Sequence, residues 1–458
     1  LEPRIGANIV FGDTTVTGNY MDITGNGIYI GFEAVQCMDF GTITYGDVYI
    51  AYNEIETSGG MGIYYYGWMY FLDSVTVNIG QMEVARNNLS GSSGQGIYID
   101  IWDIMEIYGT TQVHVGVTWI HNNNVSGYYH NIYFRPDLVG IFVYDSSAIY
   151  FGDTIIEENT LGDVTTDGNS IYITMTYNAW EMYDQSVVHM GDVYIRNNVL
   201  NDTILGDNSR GIYVYIDENG YYMYDNSMFS MGGVYIHDNN IIADTFGIYA
   251  GAQYIGGYMY HNSQASMDGV FVRDNDVWTN SYQTLNFEIY SFGYHMYHNS
   301  RLQVGNFEIT GNTFNNTGGW TNTYINHLGW GEYMSGQSEA WFGSFIIEHN
   351  TFVAQNSQYA VYMNYFGAVG YYLYGSASVH AGDFRFNHNY IDSNRNGLYI
   401  SSMGYIGYEM YQDTHVEFGN IEFNHNTIDA DRHTGSWNYG IYVSEIGYSG
   451  YDMYGNSQ

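Results

Sequence analysis

An asparagine recurs every 34 to 41 residues from one end of the chain to the other. The positions are Asn19, Asn53, Asn87, Asn123, Asn159, Asn198, Asn239, Asn275, Asn312, Asn350, Asn389 and Asn426. Seven residues before each stands a glycine, replaced once by Asp268. Three residues before each is Val, Ile or Phe, from Val16 to Phe423, and two residues after each is another apolar side chain. Self-similarity at a fixed period of this length is the signature of a solenoid, in which each repeat buries its apolar face only against its neighbours.

One repeat shows what the units are made of. Gly211 to Tyr215, Tyr221 to Tyr224 and Gly232 to Ile236 are short alternating apolar segments bounded by Gly, Asn, Asp and Ser. Such segments read as strands. No run has a sustained helical period. The expected fold is all-β: a right-handed parallel β-helix of about twelve three-stranded coils with an internal asparagine ladder and little or no helix. At one strand spacing per coil the rod would be roughly 58 Å long. The ladder amides would bond to one another and to the turn backbone, so that Asn239→Ala should cost about 1–3 kcal/mol. Residues 97–150 depart most from the repeat, and a loop or bulge is expected there. Later coils carry more Phe at inward positions, so the core is expected to widen toward the C-terminus. Residues 1–458 read as a single solenoid domain with open ends, because the repeat is continuous and the prolines are only Pro3 and Pro136.

Lysine is absent, and ten arginines face 48 acidic residues for a formal charge of −38. That argues against nucleic acid as a partner, since phosphate recognition needs a basic footprint. It suits a surface that attracts cations. No apolar run is long enough to insert in a membrane as a helix. Cys37 is the single cysteine, so no disulfide forms within the chain. The first residue is Leu1 and not Met, as expected of a mature product that has lost a signal peptide, although an arbitrary boundary of the sequence would look the same.

Candidate chemistry is sparse. No Asp-Asp pair occurs, but carboxylates can meet across coils, as Asp13 with Asp47 and Asp153 with Asp192, which occupy the same strand position on adjacent coils. These are the candidate metal ligands, for Ca²⁺ or another divalent cation that would relieve like-charge repulsion. No cofactor and no catalytic residue is assigned, and the chain reads as a non-enzyme. His349, His388 and His425 share one column, as do His261 and His298. Either column could take a transition metal, and exposed turn residues are the plainer reading of both. Sequons at Asn88, Asn124, Asn201 and Asn315 are possible glycosylation sites, expected in exposed turns just after the Gly-to-Ile strand.

The ends carry the functional expectation. The first match to the repeat, Gly12 to Asn19, is the Gly-to-Asn strand with no earlier strand of the unit before it, and residues 1–11 are the candidate for a blunting cap. The last match, Asp452 to Ser457, stops short of that strand. Unpaired strand edges template pairing with another chain. The expected partner is therefore a second copy, joined head to tail through β-pairing and packed laterally.

The Gly-Asp-Val-Tyr-Ile-x-x-Asn blocks at Gly46–Asn53 and Gly191–Asn198 make the chain resemble right-handed parallel β-helix proteins. Its lack of lysine, its acidity, its wealth of Tyr, Gly and Asn and its bare ends also resemble the major sheath proteins of filamentous methanogenic archaea. That resemblance implies a structural, extracellular role in rings, fibres or a tubular cell sheath. The alternative is a secreted β-helix of adhesin or tailspike type that binds or degrades polysaccharide, which a groove of stacked aromatics with paired carboxylates would favour.

Overall fold

The computed structural model describes residues 8–38, 41–202, 208–328, 331–366, 370–404, 407–430, 438–447 and 452–458. Among them there is no helix, and the named strand pairs are all parallel. Each coil stacks on the next in register, as Val234–His237 does on Val193–Arg196. The molecule is a parallel β-solenoid.

A middle coil contains five strand segments, not three. Tyr222–Met223 is followed by Met228–Met231, Val234–His237, Asn240–Ala243 and Phe246–Gln253. They fall into three sheets. Met228–Met231 and Val234–His237 belong to sheet I, of 22 strands, and Asn240–Ala243 to sheet II, of 12 strands. Sheet III holds Tyr222–Met223 and Phe246–Gln253 and their equivalents. Two of the strands expected from sequence therefore share one sheet, and two segments were not anticipated. The reason is the bend. The residue before each ladder asparagine has a left-handed φ, as in Tyr52 (58°), Arg86 (55°), Glu158 (55°) and His349 (59°). One such residue turns the chain from sheet I into sheet II, with no loop to mark the corner. Side chains with a Cβ meet steric cost in this region, so the ladder must hold them there.

Gln264–Arg273, where Asp268 replaces the glycine, runs through sheet I as a single strand, and so does Arg301–Thr310, which keeps Gly305, so the replacement is not what joins the two segments. The irregular region is a bulge: Gln95–Tyr108 is continuous, and its register against Ile63–Asp73 shifts between Ile101 and Ile104.

Alternation places the core. Val234 and Ile236 are fully buried while Tyr235 between them lies on the outer surface. Phe287, Phe314, Phe352, Phe384 and Phe386 fill the later coils, as the sequence pattern implies. Burying apolar side chains against the coils on either side is the main stabilising term of such a rod.

Candidate functional site

The asparagine column is built as a continuous ladder between sheets I and II. Each Nδ2 donates to the Oδ1 of the next coil's asparagine, at 2.9–3.2 Å from Asn19 to Asn426. The same Oδ1 accepts the backbone N–H of the preceding ladder residue, at 3.0 Å for Asn198 onto Asn239. Nδ2 also reaches back to a carbonyl of the previous coil, as Asn239 does to Ile195 at 2.8 Å. The amide thus supplies the acceptor that the sharp bend denies the backbone. A shorter ladder escaped the sequence reading: Asn178 N–H donates to Asn219 Oδ1 at 2.9 Å, and Val139 N–H to Asn178 Oδ1 at 2.8 Å.

The acid candidates serve the scaffold in a related way. Asp13 Oδ1 accepts the Asp47 N–H at 3.0 Å, and Asp47 Oδ1 accepts the Gln81 N–H at 2.8 Å. Asp153 Oδ1 accepts the Asp192 N–H at 2.9 Å, and Asp192 accepts the Gly233 N–H at 2.7 Å and the Tyr194 hydroxyl at 2.8 Å. Each carboxylate therefore tethers the coil that follows. The histidine columns are stacked and exposed: His349, His388 and His425 have ring centroids 4.9 Å apart, and His261 and His298 are 4.4 Å apart.

The sequons do not lie in turns. Asn88, Asn124, Asn201 and Asn315 sit on strands of sheet II, because the one-residue bend leads straight into that sheet. Asn88, Asn124 and Asn201 are exposed, Asn315 is half-buried, and Asn124 Nδ2 donates to Asn88 Oδ1 at 2.8 Å.

A carboxylate pair that sequence reasoning missed lies at the bulge. Asp100 is buried, with its pKa raised by burial, and accepts the Tyr98 hydroxyl at 2.8 Å. Asp137 accepts Arg135 Nε at 2.9 Å and the Thr176 N–H at 2.7 Å. Asp100 and Arg135 are direct register partners on adjacent coils. Spread over 38 residues of chain, this cluster has no local signature. Asp137 and the Asp100 Oδ2 are engaged by the protein's own donors, while Asp100 Oδ1 is buried without a hydrogen-bond partner.

Sheet III presents the most distinctive surface. Tyr108, Tyr144, Tyr183, Tyr224, Tyr260 and Tyr297 stack in one line with centroids 4.7–5.1 Å apart and planes within 11°. A second line runs through Tyr64, Tyr98 and Tyr133, and later through Tyr362, Tyr399 and Tyr442. The spacing is that of the strands. Burial raises the Tyr108 hydroxyl pKa to about 12, with Glu106 beside it adding to the shift. Ring faces in these columns are covered by the next ring, so what points outward is edge and hydroxyl.

The two ends differ from the middle. Val16 and Met21 are half-buried, whereas their partners one coil inward, Ile50 and Ile55, are fully buried. At the other end Phe423 and Ile428 are half-buried, against fully buried Phe386 and Ile391. An open hollow of about 360 Å³ at the first coil is lined by Phe11, Ile30, Phe32, Tyr45 and Tyr65 among others. Asn8–Phe11, read from the sequence as part of a cap, is instead a strand paired with Thr42–Tyr45. Residues 1–7 lie outside the described residues. Phe11 O accepts the Gly46 N–H at 3.0 Å, so Val10 beside it directs its own N–H and C=O off the end of the rod. At the opposite end Gln458 lies against His415–Phe418, its N–H on Thr414 O at 3.0 Å and its O accepting the Val416 N–H at 2.9 Å.

No protein-family model, curated protein or solved structure gives a match to this chain.

Proposed function

We propose that this chain is a structural, self-assembling extracellular protein. It polymerises head to tail through β-strand pairing, and packs side by side, into rings, fibres or a tubular cell sheath. The observation that carries this reading is the uniform stacking of the coils: the same three sheets run in register along the described residues, and a coil paired on one side only leaves apolar side chains half-buried and backbone groups such as those of Val10 pointing outward. Strand edges of this kind template pairing. Among the described residues both ends carry the same three sheets, so a copy stacked end-on continues each sheet. A contact of this type is heterologous, and it yields a ring or an open filament. The tyrosine columns support lateral packing over the polysaccharide alternative, because sugars stack on ring faces and these faces are already covered. The compositional likeness to the sheath proteins of filamentous methanogenic archaea points to the cell sheath as the product.

The test is electron microscopy and sedimentation of the purified chain, beside a Val10→Pro/Thr15→Pro variant. Both substitutions remove N–H groups that point away from the neighbouring coil, so the coil's own bonds survive. Filaments or rings for the parent, and folded monomers for the variant, are expected. Discrete short rods for the parent at every concentration and ionic condition would overturn the reading.

A further inference from the structure

On the outer face of sheet I, near the C-terminal end, two histidines and a glutamate converge. His380 lies on Ser378–Ala381, and His415 and Glu417 lie on the adjacent His415–Phe418. His380 and Glu417 are register partners, and His415 and Glu417 are two residues apart on the same face. One ligand atom from each lies within 4.8 Å of the other two. His380 Nδ1 is already 3.2 Å from Glu417 Oε2. Trp341, one coil further in, stacks on the His380 ring at 3.8 Å with the planes 11° apart.

We propose that His380, His415 and Glu417 form a binding site for a divalent first-row transition ion, with zinc as its natural probe. Two imidazole nitrogens and one carboxylate oxygen are the donor set of three-ligand zinc sites, which leave a fourth position to water. Calcium, which takes six or more oxygens, is not served by it. The Trp341 ring fixes one ligand in place, as the supporting shell of a metal site does. His415 and Glu417 are exposed, and their side chains have the freedom to close on the ion. The chain's formal charge of −38 raises the local concentration of any cation. Because the ligands come from two successive coils, the ion would clip the strand His415–Phe418 onto Ser378–Ala381.

The site differs from the two stacked histidine columns, and the experiment separates them. Zinc binding is measured by titration against a chromophoric chelator, with Co²⁺ as a spectroscopic substitute. The parent, His415→Ala, Glu417→Gln and a control His349→Ala/His388→Ala are compared. All of these side chains are on the surface, so folding is expected to survive, and circular dichroism checks it. One tightly bound zinc, the visible bands of tetrahedral Co²⁺, and a loss on the order of a hundredfold in His415→Ala are expected, since one of the three protein ligands is removed. The control variant should bind as the parent does. Zinc should also slow amide exchange in residues 415–418. No binding by the parent, binding unaltered in His415→Ala, or loss confined to the control variant would each overturn the proposal.

Discussion

The coil has two buried polar corners, and they are held in opposite ways. Between sheets I and II, Asn239 makes hydrogen bonds to Asn198, Ile195, His237 and Asn275. Between sheets III and I stands a column of small hydroxyl residues: Ser186, Ser227, Ser263 and Ser300, each fully buried. Their hydroxyls have no partner. The backbone explains the contrast. At the serine corner the coils bond to each other directly, as Met228 N–H does to Ser186 O and Gln264 N–H to Ser227 O, both at 2.9 Å. At the asparagine corner the backbone N–H of each ladder residue points at a side chain because no carbonyl reaches it. One corner needs its side chain as a structural member. The other needs only something small.

Asn239→Ala tests the first half of that contrast and should have the largest effect. It removes the acceptor of the Asn198 N–H at 3.0 Å and one of three acceptors of Asn198 Nδ2, and it takes a donor from Ile195 O and Asn275 Oδ1. Leaving buried donors unsatisfied costs about 1–3 kcal/mol apiece. A loss of about 3 kcal/mol or more is expected in denaturant melts. Since coils couple only to their neighbours, the transition should also broaden or split. A melt superimposable on the parent's would mean that the ladder only decorates a backbone that stands without it.

His130 sharpens the comparison, because its bonds exist in one protonation state only. It is buried, and Asn169 directs its N–H and its amide at Nδ1, 3.3 and 3.1 Å away. Burial, with a smaller contribution from the nearby Arg210, lowers its pKa from 6.5 to about 4. The folded state therefore binds this proton less readily than the unfolded state. The stability it contributes is complete above pH 6.5 and is lost as pH falls toward 4. The acid limb of the stability curve in that window should amount to about 3 kcal/mol. His130→Gln, which cannot titrate, should flatten that limb in melts taken at a series of pH values. An unchanged limb would locate the proton uptake elsewhere.

These cases also show what a sequence of this kind discloses. The ladder was legible because a polar side chain that must bond to its own copy recurs at a fixed position. The bulge was legible as a break in that repeat. The corner itself was not: Tyr52, Arg86 and Glu158 adopt left-handed φ values with nothing in their chemistry to announce it. Because the corner is silent in the sequence, so is the strand Asn240–Ala243 that follows it, and with it the placement of the four sequons on strands of sheet II. The acid columns were found, but whether their oxygens face each other or a backbone N–H depends on coordinates. The His380, His415 and Glu417 cluster was overlooked for a different reason. It combines a cross-strand neighbour with a same-strand neighbour, while a search down one column finds only equivalent positions.

Ser227→Ala tests the second half of the contrast and should have the smallest effect. The substitution removes a hydroxyl without a partner and leaves the N–H on Tyr224 O at 3.2 Å untouched. The chain already makes this change once, since Ala377 occupies the equivalent position before Ser378 and is fully buried. Deleting a buried polar atom that has no bond relieves its desolvation, and the space it leaves is smaller than a methyl group. A change within about 0.5 kcal/mol in either direction is expected. A loss comparable to that of Asn239→Ala would show that the serine hydroxyls form a ladder of their own along the rod. The two corners would then obey one rule, and the stack would be held by side chains at both.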